Sequence, residues 1–261
     1  VTILCVIPVR GGSKGVPGKN IRDLGGLPLV AWTIRSALAA EADLRVLVST
    51  DSPEIREVAL EHGAEVPFLR PSELAEDLTP SEPVIEHALS HHRAEAGEPE
   101  GVLFLQATSP LRFPGTLDRA VDQFRATRVD SLVGVVPVTP FLWRYDAEPS
   151  KEAPTGHPVA DYDVYARLRR QDMSRIDLRY RENGSLYLTR PGIYDRLHNR
   201  IGGTVGLFEL DDLEGTDIDT ELDFTLAEQL VARHAKALGN DGAATTAAAA
   251  PSSADRPGGR R

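Results

Sequence analysis

Residues 1–20 read VTILCVIPVRGGSKGVPGKN, an apolar run followed by a turn that gathers four glycines, one arginine and two lysines. The run TILCVIPV (2–9) has the β-branched content of a buried strand. Beyond the loop the pattern alternates. PLVAWTIRSALAA (28–40) has helical spacing, LRVLVST (44–50) reads as a strand, and in SPEIREVALEHG (52–63) Ser52 can cap a helix whose first position suits Pro53. AEVPFLR (64–70), SEPVIEHALSHHRAEAG (81–97), GVLFLQ (101–106), PGTLDRAVDQFRATR (114–128) and SLVGVVPV (131–138) continue it. Strand alternating with helix predicts an α/β fold with a mainly parallel sheet and helices on both faces.

The alternation stops at residues 139–182, which carry prolines, aromatics and the run ARLRRQDMSRIDLRYR. This segment is expected to leave the sheet as a lid or dimerisation arm. Order returns with GSLYLTR (184–190), GTVGLFEL (203–210) and a closing helix, ELDFTLAEQLVARHAKAL (221–238). One domain over 1–238 is therefore expected, followed at 239–261 by an Ala/Ser/Gly/Pro-rich, low-complexity tail expected to be disordered.

The formal charge of −10 argues against a general nucleic-acid binder, so an anionic ligand must be caught locally. Cys5 is the single cysteine, which excludes a disulfide framework and points to a reduced, cytoplasmic setting. No apolar run approaches the roughly 20 residues of a membrane helix and no signal peptide precedes the first strand, so a soluble protein with no membrane partner is expected.

The glycine-rich loop leaves the carboxyl end of the first strand, the edge at which open α/β sheets bind ligands. Glycines there, Gly11 and Gly12 among them, let backbone N–H groups turn onto an anion, and Arg10, Lys14 and Lys19 add charge. The alternative is a flexible turn with solvated charges. The loop is not a Walker A motif, because Ser13 stands where glycine is required and Asn20 follows Lys19 in place of Ser or Thr. Near the other end of the chain, EGTDIDTELDF sets Asp217 and Asp219 two apart, so an extended backbone places both carboxylates on one side. They could hold Mg²⁺, or Mn²⁺ in its place; alternatively Asp219 or Thr220 only caps the last helix. His87 and His91 stand four apart but lack an HExxH arrangement, and a solvated helix face is the expectation for them; Tyr180 and Tyr187 are expected to pack.

RGGSKGVPGKN, LRPSELAED, LQATSPLR, RENGSLYL and DIDTELDF occur in this order, and together they resemble the CMP-acylneuraminate (CMP-sialic acid) synthetase family of cytidylyltransferases. The resemblance implies a Rossmann-like nucleotidyltransferase fold, a homodimer with a protruding interface arm, CTP and a small acidic sugar of the nonulosonic type as substrates, and pyrophosphate as by-product. It implies phosphate-loop roles for Arg10, Gly11, Gly12, Ser13, Lys14 and Lys19, with Asn20 near the nucleotide. Arg70 and Ser81 correspond to its cytosine contacts. Gln106 and Thr108 are implied beside the sugar, and Arg144 and Arg170, or Arg169 in place of the latter, reach the sugar from the arm. Arg10, Lys19, Asp217 and Asp219 take the catalytic roles, with the metal on the two aspartates and no histidine base required.

Ala107 replaces the usual proline of LQPTSPLR, and the arm departs from the family pattern around TPFLWRY. Kdo-activating relatives rank second. A glycosyltransferase with an Asp-x-Asp metal motif leaves the N-terminal loop unexplained, and a non-catalytic nucleotide-binding regulator has little use for the aspartate pair.

Overall fold

The computed structural model describes residues 2–12, 16–151 and 154–239. The expectations for Ser13, Lys14 and the tail beyond Gly239 therefore fall outside the described residues.

Strand β1 (Ile3–Pro8) shows why the fold has two covered faces. Ile3, Cys5 and Ile7 join one hydrophobic cluster, whereas Leu4 and Val6 join another, and all five are fully buried. A strand with no polar face needs a layer of helix on each side. The remaining elements, in chain order, are β2 (Asp23–Leu24), β3 (Leu27–Pro28), α1 (Leu29–Leu38), β4 (Leu44–Ser49), α2 (Pro53–Glu61), α3 (Ser81–Ala96), β5 (Val102–Phe104), α4 (Thr116–Thr127), β6 (Ser131–Val138), β7 (Trp143–Ala147), β8 (His157–Ala160), β9 (Arg179–Thr189), α5 (Pro191–Leu197), β10 (Val205–Glu209) and α6 (Glu221–His234). Residues from α1, α2 and α4 cover one face, and residues from α3 and α5 the other.

Six strands form the main sheet in the order β10-β6-β9-β5-β1-β4. The β1–β4, β1–β5 and β6–β10 pairings are parallel, but β9 is antiparallel to both β5 and β6. The sheet is thus mixed, a feature that strand–helix alternation does not reveal. Among the described residues no α-helix lies between β6 and β9, and β9 returns beside β6 as an antiparallel partner. The excursion carries a separate two-stranded ribbon, β7 with β8. The stretch AEVPFLR supplies only isolated bridges, Leu47 with Glu65 and Thr50 with Leu69, rather than a full strand.

The pairing of β9 with β6 shifts between Val133, opposite Tyr187, and Val135, opposite Glu182. The extra residues on β9 contain Asn183 and Gly184 and form a bulge, the usual device for turning a strand's side chains out of register. At the C-terminal end, α6 packs Phe224, Ala227 and Val231 into a third cluster with Leu24, Trp32, Leu111 and Ile218. No described helix is long and apolar enough to cross a membrane.

Helix α6 starts with a reciprocal capping box. The Thr220 hydroxyl accepts from the Asp223 amide and the Asp223 carboxylate accepts from the Thr220 amide. Thr220→Ala should lower stability by about 1 kcal/mol, read as a lower denaturant midpoint at an unchanged slope.

Candidate active site

A cleft of about 330 Å³ opens at the carboxyl ends of β1 and β5. Arg10, Gly12, Lys19, Asn20, Arg70, Ser81, Gln106 and Thr108 all line it, so residues between positions 10 and 108 meet at one sheet edge. Gly11 does not line it. Its amide donates to Asp51 at 3.0 Å, and it borders a smaller cavity with Ser52. Of the two glycines only Gly12 is at the cleft. Asn20 closes the loop on itself, donating from Nδ2 to the Arg10 carbonyl at 3.0 Å.

Lys19 is the hinge of the site. Gly18 adopts φ +64°, a conformation that favours glycine, and leads into a single turn over Lys19–Ile21 that aims the lysine inward. Lys19 is 8% exposed, and its ammonium donates to the Ile218 carbonyl at 2.5 Å. The same nitrogen lies 3.8 Å from an Asp219 carboxylate oxygen. Ile218 is fully buried, and its amide donates to the Thr108 carbonyl at 2.9 Å. This pins the 217–219 segment by its middle residue and leaves Asp217 and Asp219 on either side of it.

Asp217 is held by two donors on Oδ1: the Ser109 hydroxyl at 3.3 Å and the Ile218 amide at 3.1 Å. Asp219 is mostly exposed. Capping belongs to Thr220, which leaves the Asp219 carboxylate outside the capping box. Two oxygen donors suit a hard divalent cation that takes the rest of its shell from water and phosphate, as Mg²⁺ commonly does. Among the described residues no group of three or more His, Cys, Asp or Glu side chains forms a protein-only cage.

Arg70 is buried rather than a surface charge. Its guanidinium donates to the Val9 carbonyl at 3.2 Å, to the Ser49 hydroxyl at 3.2 Å and to the Ser49 carbonyl, tying together the ends of β1 and β4. Burial lowers its pKa to about 10, with Asp51 opposing the shift, so it stays charged at neutral pH. Ser81 is the first residue of α3 rather than its cap. Gln106 leans against Gly184 in the β9 bulge, where a Cβ would lie 1.8 Å from the Gln106 carboxamide oxygen.

Arg144 and Arg170 do not line the cleft. Arg144 lies on the β7–β8 ribbon against Asp146, with Asp161 at 3.6 Å. Arg170 is exposed in a short turn over Arg170–Asp172, and the neighbouring Arg169 pairs with Asp172 at 2.5 Å. His87 and His91 are not solvated as expected: both pack edge-on against Phe68 at 4.4 and 5.1 Å, and burial is the main cause that lowers the His87 pKa. Tyr187 stacks on Phe104 at 5.5 Å, and Tyr180 packs against the same cluster.

Residues not singled out from sequence brace the site from beneath. Arg112 is 4% exposed, donates to the Ser185 carbonyl at 2.5 Å and to Thr33 at 3.2 Å, and has its pKa lowered by burial to about 10. Glu214 is 1% exposed and accepts from the Phe113 amide at 3.0 Å and Thr116 at 2.6 Å. The Ser109 hydroxyl also lies 3.1 Å from the Asn183 carbonyl, so its single proton is shared between that carbonyl and Asp217. Ser109 and Arg112 lie within LQATSPLR and Asn183 within RENGSLYL, so their signal was the motif; buried partners were not readable from it.

The cytidylyltransferase family profile matches residues 4–200. The chain is 34% identical to a CMP-N,N'-diacetyllegionaminic acid synthase of Legionella pneumophila, over 90% of this chain and 99% of that protein. It is 35% identical to N-acylneuraminate cytidylyltransferase A of Danio rerio over 88% of this chain, and spans about half (51%) of that longer protein. Among solved structures, a CMP:2-keto-3-deoxy-manno-octonic acid synthetase complexed with CTP superposes with a TM-score of 0.63 at 17% identity, covering 90% of this chain and all (100%) of that one. At that identity the likeness shows the fold, a Rossmann-like nucleotidyltransferase.

The close approach at Gly184 yields a direct test. Its φ of +76° and the contact with Gln106 both oppose a side chain. Gly184→Ala should cost about 1–2 kcal/mol from the backbone conformation alone, measured by chemical denaturation.

Proposed function

The chain belongs to the CMP-acylneuraminate synthetase family of cytidylyltransferases, and on that premise we propose that it transfers the cytidylyl group of CTP to the anomeric 2-hydroxyl of a nonulosonic acid. The observation that carries this reading is Lys19, which lines the cleft, bonds the Ile218 carbonyl and lies 3.8 Å from Asp219. Lys19 thereby sets the basic loop beside one acid of the pair, Asp219, an arrangement that supports displacement at phosphorus.

In this reading the triphosphate lies along the loop from Arg10 to Lys19. The sugar hydroxyl attacks the α-phosphorus in line; a new oxygen–phosphorus bond forms as the hydroxyl proton is released to solvent, the bond to the β-phosphate bridging oxygen breaks, and pyrophosphate leaves. Lys19 and Arg10 stabilise charge on the phosphates, and the burial of Lys19 strengthens its contribution. Asp217 and Asp219 would hold Mg²⁺, which when bound supplies charge neutralisation on the phosphates. Ser109 keeps the Asp217 carboxylate oriented toward that task. Arg70 and Ser81 border the part of the cleft assigned to cytosine, and Gln106 and Thr108 the part assigned to the acid.

The arm supports a homodimer. Trp143, Tyr145, Tyr165 and Ile176 are 58%, 63%, 98% and 89% exposed, an apolar display suited to a second copy of the chain. Arg144 and Arg170 are then available to the partner's cleft, where a guanidinium can grip the sugar carboxylate with two parallel bonds. A sialic-type acceptor is favoured by the L. pneumophila and D. rerio relatives named above.

Pyrophosphate release tests the reaction. With CTP and Mg²⁺, the protein should release pyrophosphate with at least one member of a panel of sialic, deaminated, legionaminic and pseudaminic acids, and far more slowly with Kdo. Release with Kdo alone would move the protein to the second-ranked reading. No release with any acid would reject both.

A further inference from the structure

The mouth of the cleft holds an acid where an anionic ligand is to bind. Arg10 Nη1 donates to Asp77 Oδ1 at 2.8 Å and approaches the Glu76 carbonyl at 3.4 Å. Arg10, Glu76 and Asp77 all line the same cleft as Lys19. Asp77 belongs to a segment that leaves the turn at Ser72–Leu74 and ends at Pro80, immediately before α3. Within it Leu78 is 94% exposed, and the Thr79 hydroxyl donates to the Glu73 carbonyl at 3.3 Å. Glu76, Asp77 and Leu78 are exposed, and the ionic contact at Arg10 ties this segment to the phosphate loop.

We propose that Asp77 is an internal counter-ion of the anion site, a latch that occupies Arg10 until the polyphosphate of the nucleotide displaces it. The proposal rests on the assignment of CTP to this cleft. Its physical basis is competition for one guanidinium. A triphosphate carries several negative charges, and bringing it to Arg10 sets like charges beside Asp77. The carboxylate must yield the Nη1 donor or raise the cost of binding. Because the pair is part-exposed, at 31% and 47% of the two side chains, its strength is modest and screened by salt. A weak latch of this kind sets nucleotide affinity and frees residues 75–80 at the moment of binding, without blocking the site.

The variant Asp77→Asn keeps the shape and an oxygen acceptor but loses the charge, and Asp77→Glu retains the charge as a control. Binding is measured by calorimetry without divalent cation, using CTP and, as a probe without base or ribose, inorganic tripolyphosphate. Asp77→Asn should bind both ligands about two- to fivefold more tightly at low ionic strength, the range an exposed ion pair carries. The gain should shrink as salt is added, and Asp77→Glu should stay close to wild type. Amide exchange over 75–80 should rise when tripolyphosphate binds the wild type and should already be raised in unliganded Asp77→Asn. Equal or weaker binding by Asp77→Asn, with wild type binding CTP normally, overturns the latch and leaves the functional assignment standing. Failure of the wild type to bind either ligand overturns that assignment and the latch with it.

Discussion

The ammonium of Lys19 against the carbonyl of Ile218 is the contact on which the rest of the site depends. It joins positions 199 apart in sequence. It brings a loop at the start of the chain against an acidic segment near its end. A buried ammonium needs acceptors, since an uncompensated charge removed from water is costly. The Ile218 carbonyl supplies one, and the nearby Asp219 carboxylate adds an opposite charge. Ile218 can play this part because its side chain is anchored in the core and its amide is taken by Thr108. The acids at 217 and 219 inherit their placement from that anchoring.

A second constraint comes from the route of the chain between β6 and β9. Antiparallel return lets the sheet continue while a long segment projects from it, and the bulge at the base of the return carries Asn183 and Gly184 toward Ser109 and Gln106. The arm and the acceptor side of the cleft are thus connected through one strand. Fixed charges nearby complete the frame: Arg112 beneath the loop after β5 and Glu214 beneath the segment that leads to Asp217.

Much of this was legible in the sequence. β6 matches its expected bounds, and β1 and α3 differ from theirs by a residue at one or both ends, because each has a strong apolar pattern and clear flanking signals. The two-residue spacing sets Asp217 and Asp219 on either side of Ile218, whose side chain is buried in the core. The direction of β9 was not legible, because strand direction depends on what precedes the strand, and residues 139–182 carried no readable period. The helix α5 was missed for its shortness: its seven residues are too few for a 3.6-residue repeat to show. The buried state of Arg70 was also hidden, since an arginine reads as exposed until its backbone partners, here at Val9 and Ser49, are known.

The most direct test of the central claim, that loop and acid pair form one catalytic centre, is the Mg²⁺ dependence of turnover in Asp219→Asn. Thr220 rather than Asp219 caps α6, and Lys19 keeps the Ile218 carbonyl as an acceptor when the Asp219 charge is lost, so the substitution should lower thermal stability only slightly. Binding of CTP without divalent cation should survive, because the Arg10 to Lys19 loop is intact. The turnover number should fall on the order of a hundredfold or more, the scale on which loss of a transition-state electrostatic stabiliser registers, and more Mg²⁺ should be needed to reach it. Normal turnover by this variant at limiting Mg²⁺ would contradict the account.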